Sequence, residues 1–348
     1  MFKQYLAHSF YSALRYTAPW LAVAGLTAIS VSVSAIDQNL APAESALTNQ
    51  QYEQAKQLFS DLSQQANFKV KGKFGLARVA FFQEKLDLAE DYIEEVLEQD
   101  STNPEHFYYA ARIAGKQAQT ASVFTKLGYA KDTKNYFTQA LQIDNQHQLS
   151  IIGLIGFHRQ APVIAGGNKE AISGLLDQLR TIDKRAAFAI EAPLLFEKKQ
   201  VDKIFSRYQV ALQQDLDSQV EVSEFKFNFA MLLASQSMYL EGLKELNSIE
   251  FDENQELPSY ANMRLYQIAK LAAESNSELD FGIQSIKEYA AIAEEDKTIP
   301  NDWVDFRLAQ LSYMKLKGVE QRKVLEQIKR NTKDNGLKDK IKSVLKAE

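Results

Sequence analysis

The chain has no cysteine. Disulfides, thiolate metal sites and a thiol nucleophile are therefore excluded, and so is a lipid anchor on an N-terminal cysteine. Stability has to come from packing alone. Proline and glycine are scarce, with 7 and 14 in 348 residues, which argues against an all-β fold with many tight turns. A basic surplus is also missing. The 40 Lys and Arg are outnumbered by 45 Asp and Glu, and the isoelectric point is near 5.6, unlike a general nucleic-acid binder. Catalytic signatures are absent too: there is no His-Glu-x-x-His, no Gly-x-Ser-x-Gly, no phosphate-loop spacing and no recognisable carboxylate pair. The expectation is a protein that is not an enzyme and carries no cofactor and no metal.

One short apolar run sits near the start. Residues 1–20 carry Lys3 and Arg15 and no acid; Leu21 to Val33 are mostly small and apolar; Val33-Ser34-Ala35 offers a small-residue cleavage site. That is the pattern of a secretory signal peptide spanning residues 1–35. The run is interrupted by Thr27, Ser30 and Ser32, and a bilayer span needs about 20 apolar residues, so cleavage is preferred over an uncleaved inner-membrane anchor. Removal of residues 1–35 would leave 38 basic and 45 acidic residues. With no cysteine, the simplest destination is a Gram-negative periplasm, as a soluble protein without a stable membrane span.

What is abundant is helical periodicity. Between Val70 and Asn103, Phe74, Leu76, Ala77, Ala80 and Phe81 recur at helical spacing, Gln83-Glu84-Lys85 interrupts them, and Leu86, Ala89, Ile93, Val96 and Leu97 resume it. Asp100 to Asn103 are turn formers. Small Ala77 is expected to face small Ala89 and let two antiparallel helices approach closely. The unit is 34 residues long and resembles a tetratricopeptide repeat. Leu76-Ala77 stands where the family has Leu-Gly, and Ala89, Ile93 and Val96 stand at its second-helix positions. Lys73 and Ser101 replace the family's Trp and terminal Pro.

Similar units follow along the chain. Ala43 to Leu62 forms a weak first hairpin. Pro104 opens a helix with Phe107, Ala110, Ala111 and Ala114, followed by an unusually long helix expected over Thr120 to Ile143. Ile151 to Phe157 forms another first helix that stops at Ala161-Pro162. Val163 to Gly167 should be a loop, after which Asn168 can cap a helix bearing Ala171, Leu175, Leu176 and Leu179. Pro193 should kink the helix that carries Phe188 and Leu195. Further pairs centre on Phe229 and Leu246, on Tyr266 and Ile286, and on Phe306 and Leu325. A closing helix over Leu337 to Leu345 ends the series. The expected architecture for 36–348 is all-α: an α-solenoid of about eight helical hairpins, with the right-handed superhelix that the tetratricopeptide resemblance implies. Curvature is expected to change at Leu257-Pro258. From Phe107 to Asp183 the chain also resembles exported bacterial tetratricopeptide proteins, through Ala140 to Asp144 and the Ala161-Pro162 to Gly166-Gly167 turn. That likeness supports export and implies no activity.

Candidate contacts come from the same resemblance, because first-helix positions line the family's inner groove. They are Phe74, Arg78, Phe81, Tyr108, Arg112, Phe227, Phe306 and Tyr313. Aromatics with Arg suit an extended peptide or an amphipathic helix, which points to a protein or peptide of the cell envelope. The alternative is a carrier that encloses a small apolar ligand for an envelope transporter. His106 and His158 fall on first helices and are the place where polar groups could converge. The Gly166-Gly167-Asn168-Lys169 turn could hold an anion, but a tight turn explains it more simply. Glu84 to Glu105 has nine acids and one base, and Lys315 to Glu348 has eleven bases and five acids. These read as solvated faces, or as ends that dock a partner or another copy.

Overall fold

The computed structural model describes residues 38–214, 219–251, 259–292 and 298–346. These include seventeen α-helices and two short 3-10 turns, and there is no strand among the described residues. They fall into two compact units, one ending at Gln214 and one beginning after it. The expected signal segment and the Leu257-Pro258 bend lie outside the described residues.

The first unit holds ten helices: α1 Ala41–Thr48, α2 Tyr52–Ser63, α3 Lys69–Phe82, α4 Leu86–Gln99, α5 Pro104–Thr120, α6 Val123–Ile143, α7 Gln148–Gln160, α8 Ala171–Ile182, α9 Lys184–Glu197 and α10 Val201–Leu212. The second holds α11 Gln219–Ser235, α12 Tyr239–Asn247, α13 Ser259–Ser275, α14 Leu279–Ala290, α15 Asn301–Leu316, α16 Val319–Asn331 and α17 Asn335–Lys346. The all-α solenoid expected from the periodicity is what the chain forms.

Two turn chemistries alternate. In four hairpins the chain reverses through one residue of left-handed conformation: Gln50, Glu84, Lys199 and Ser237 have φ of 59°, 59°, 56° and 62°. Each turn uses the same pair of bonds. Glu84 N donates to Phe81 O and Lys85 N to Ala80 O; Lys199 N donates to Phe196 O and Gln200 N to Leu195 O. This is the Schellman arrangement, which satisfies the last carbonyls of the first helix, built here without glycine. Between hairpins an aspartate does the work. Asp100, Asp144 and Asp183 are extended, and each side chain accepts an amide two residues on, at 3.0, 2.9 and 2.9 Å. Asp183 also accepts Ala186 N and so caps α9, while Asn103 and Pro104 start α5.

Side chains at helical spacing fill the seams. In the first unit Phe59, Leu62, Leu76 and Val79 join α1 to α3; Ala77, Ala89, Ile93, Val96, Ile113 and Phe137 carry the core onward; Ile151, Ile155, Leu179 and Ala187 continue it. Ala77 and Ala89 are fully buried in one cluster, as close helix approach requires. Tyr266, Ile268, Ile286 and Leu311 form the main core of the second unit, and Leu337 and Ile341 of α17 close its end. One detail differs from the sequence reading. The long helix starts at Val123 rather than Thr120, because Ala121 and Ser122 are extended and α5 runs on to Thr120. Pro193 lies inside α9, where it removes the amide that would serve the Ala189 carbonyl.

Candidate functional site

Three successive first helices, α1, α3 and α5, place an aromatic and cationic cluster side by side. Arg78 binds Glu44 with both terminal nitrogens, at 2.7 and 2.9 Å. Its guanidinium carbon lies 5.5 Å from the Phe74 ring and 5.6 Å from Tyr109. Burial pulls this guanidinium's pKa down, but Tyr109 and Glu44 outweigh it and leave it above its ordinary value.

Arg112 is different. Its guanidinium carbon sits 4.6 Å from the Phe81 ring, 4.9 Å from Tyr109, 5.5 Å from Tyr108 and 5.7 Å from Phe82. It has no carboxylate within ion-pair distance among the described residues. The repeat explains the contrast. Glu44 and Arg78 are separated by 34 residues, one repeat, so equivalent positions are neighbours. The equivalent neighbour of Arg112 is Arg78, which offers no negative charge. The rings take its place, through attraction between a cation and aromatic faces. Burial pushes the Tyr108 phenol up to about 12, with the Arg112 charge alongside acting the other way.

The expected residues divide by exposure. Phe74, Arg78 and Arg112 are half-buried, while Phe81 and Tyr108 lie beneath them, packed edge-on against Tyr109. Phe82, not singled out from the sequence, is 39% exposed beside Arg112. Its only signal was adjacency to Phe81 at the helix end. In the second unit the Phe227 ring lies 5.3 Å from Tyr260, tilted by 35°, near Phe251 and Arg264. Burial raises the Tyr260 phenol to about 12 and lowers Arg264. Phe306 and Tyr313 do not line a surface. They are 0% and 9% exposed, because α17 lays Leu337 and Ile341 over them.

The polar candidates are absorbed locally. His106 is buried, its Nδ1 3.1 Å from the Asp100 carbonyl and its Nε2 3.3 Å from Asn103 Nδ2. His158 Nδ1 accepts the Asn168 amide at 3.1 Å; burial and nearby Lys134 hold its pKa below the usual value. His147 links Ser150 Oγ, 2.8 Å from its Nδ1, to Glu105 Oε2, 3.0 Å from its Nε2, which is a serine triad's residue set with the two ring nitrogens exchanged. Ser150 is fully enclosed in the first turn of α7, so the set staples α5 to α7 and presents no nucleophile. No group of metal-ligating side chains occurs among the described residues.

At the glycine turn, Gly166 has φ of 91° and a Cβ on Gly167 would lie 1.9 Å from the Ala161 carbonyl oxygen, so both glycines are steric requirements. The amides of Gly166, Gly167, Asn168 and Glu170 all have acceptors within the chain. An anion would find little to bind there. The acidic run is partly answered on the chain, by Lys116 to Glu84 at 3.0 Å and Lys73 to Glu95 at 2.9 Å. An open hollow of about 280 Å3 is lined by Phe124, Thr125, Gly128, Tyr129 and Asp132. No helix among the described residues is long and apolar enough to cross a membrane.

Comparison with known proteins places the fold and no more. No protein-family model matches, and no curated protein matches. Among solved structures, yeast Tom70 superposes with a TM-score of 0.50 at 16% identity, over 92% of this chain and 66% of the Tom70 chain. The chain thus spans just under two thirds of that structure. The tetratricopeptide domain of P58(IPK) aligns over 89% of this chain and 98% of its own at 13% identity, with a TM-score of 0.28. Both are tetratricopeptide proteins, and the Tom70 superposition supports a tetratricopeptide-like fold for this chain.

Proposed function

We propose that this chain is a non-catalytic interaction scaffold whose α1–α3–α5 face binds a protein or peptide of the cell envelope. The observation that carries the reading is Arg112: a permanent cation, half-buried among four aromatic rings, with no carboxylate partner and with exposed Phe82 beside it. Such a group supplies charge and rigid apolar area together, the composition of interface hot spots. Phe74 and Arg78 extend the same face, and Phe227 marks a smaller cluster in the second unit. A segment pairing an acidic side chain with an apolar one is the chemistry this face fits.

Export follows from the N-terminal grammar. Residues 1–35 act as a signal peptide, and 36–348 work in the periplasm. Crosslinking in the intact envelope, followed by mass spectrometry, tests the reading. A single stoichiometric partner is expected with the native chain. Arg112→Gln should abolish its capture while far-UV circular dichroism stays unchanged. An undiminished crosslink in Arg112→Gln, or no partner with the native chain, would overturn it.

A further inference from the structure

Helix α6 carries the most exposed apolar side chain of the described residues. Phe124 is 95% exposed, and Val163 and Ile164, in the turn after α7, are 86% and 74% exposed. Bulky apolar groups displayed this fully are unusual on a soluble surface when they cluster.

They share one strip. At 3.6 residues per turn, Phe124, Leu127, Lys131 and Lys134 fall within an arc of about 80° on α6. The turn that bears Val163 and Ile164 packs against this helix at the Lys134 end. A Cβ placed on Gly166 would lie 3.2 Å from the Lys134 side chain, and Ala165 is buried at the join. Three backbone bonds brace the turn: Ala165 N and Gly167 N to Pro162 O, and Gly166 N to Val163 O. Its two apolar side chains are therefore held outward by a fixed backbone. The strip has apolar residues at both ends and lysines in the middle, and no acid lies on that arc. Asp132 lies about 80° round the helix from Phe124, beyond the edge of the arc, where the two border the same open hollow. Exposed Lys169 adds a positive charge beyond the turn, partly offset by its neighbour Glu170.

We infer that this strip is a peripheral membrane-docking face for an anionic phospholipid surface. Phe124, Val163 and Ile164 enter the headgroup–acyl boundary while Lys131 and Lys134 meet lipid phosphates. Shallow apolar anchors combined with cations are what interfacial binding requires, and each is weak alone. The whole chain has a formal charge of −5, so attraction to an anionic bilayer has to be local, and this strip supplies it. The inference is independent of the peptide-binding reading, which concerns another face of the same unit.

The absence of native cysteine gives a direct test on the full chain. I164C and F124C variants are labelled with an environment-sensitive fluorophore, with K203C on exposed α10 as control. Vesicles of phosphatidylcholine, with and without phosphatidylglycerol, are titrated. The first two labels should shift to the blue with anionic vesicles only, and the K203C label should not. Adding Lys131→Glu with Lys134→Glu should weaken that binding at least about tenfold, in keeping with the worth of each basic residue near an anionic surface. The local label separates this contact from any binding by the apolar N-terminal segment. No shift at I164C, an equal shift at K203C, or indifference to the charge reversals would overturn the inference. So would a shift that grows with protein concentration without lipid, which would assign the strip to a second copy of the chain.

Discussion

Replacing Gly75 with alanine is the sharpest test of how the first unit is packed. Gly75 lies in α3, where it faces Phe59 of α2. A Cβ built there would lie 2.1, 2.3 and 2.4 Å from three atoms of the Phe59 ring. Carbon atoms rest about 3.5–4.0 Å apart, so the overlap is well over 1 Å. The ring has nowhere to retreat: Phe59 is fully buried among Ala43, Leu47, Leu62, Leu76 and Val79. Gly→Ala in an open helix interior gains about 1 kcal/mol in propensity. Overpacking a tight core costs about 1–3 kcal/mol and sometimes more. With an overlap this large the loss should win, leaving Gly75→Ala net destabilised by about 1–2 kcal/mol.

The control is Gly174→Ala in α8 of the same unit, where nothing lies within 4 Å of the added carbon. It should gain about 0.5–1 kcal/mol. Urea denaturation followed by far-UV circular dichroism reads both, provided the slope is unchanged between variants. A third variant isolates the cause: Phe59→Leu combined with Gly75→Ala should lose less than the two single changes added together, with a coupling of about 1 kcal/mol or more. If Gly75→Ala instead stabilises as Gly174→Ala does, the close approach of α2 and α3 is wrong, and with it the packing of the first two hairpins.

Two further outcomes follow from the turns and the aromatic cluster. Lys199 holds a left-handed φ of 56° at a Schellman position, where a side chain is strained and glycine is not, so Lys199→Gly should raise the urea midpoint by about 0.5–1 kcal/mol equivalent, and no gain would refute the turn assignment. Tyr108 has its pKa raised to about 12 against an ordinary value near 10, so the folded state keeps a proton that the unfolded state gives up between those values. Its contribution is complete below pH 10 and fades as pH rises toward 12, the loss reaching about 2–3 kcal/mol at the upper end. Tyr108→Phe should flatten that part of the stability–pH curve, and an identical curve would show that the phenol is not buried beside Arg112 as described.

The hairpins were legible because burial recurs with the helical period. Ala89, Ile93 and Val96 on α4 and Ile204, Tyr208 and Ala211 on α10 are interior at the spacing that marks them in the sequence. The joint at Asp100 to Asn103 was legible too, because these are turn formers; Asp144 and Asp183 make the same kind of break through their own side chains. The reversals inside hairpins were harder to read. Glutamine, glutamate and lysine carry no turn signal and serine only a weak one, and the neighbouring hydrogen bonds impose the left-handed residue at some local cost. Gly72 and Gly75 were silent for another reason: their constraint is the backbone and ring of the preceding helix, and no window along α3 contains it.

The candidate site divides along the same line. Phe74 and Tyr108, and likewise Arg78 and Arg112, occupy equivalent positions one repeat apart, so a 34-residue period alone puts them on adjacent first helices. Periodicity says nothing about what lies on top. Over α3 and α5 the face keeps Phe74, Arg78 and Arg112 half-exposed, but over α15 the closing helix seals Phe306 and Tyr313. The amphipathic pattern of Leu337, Ile341 and Leu345 foretold that helix, and a helix with one apolar face must cover something. Its nearest available surface is the last first helix in the array. Carrying the groove rule to the end of the chain thus conflicted with the presence of a cap, and the two expectations could not both hold at Phe306. Where another hairpin follows, Phe74, Arg78 and Arg112 stay half-exposed while Phe81 and Tyr108 are buried beneath them, so the α3–α5 face is where a binding test belongs.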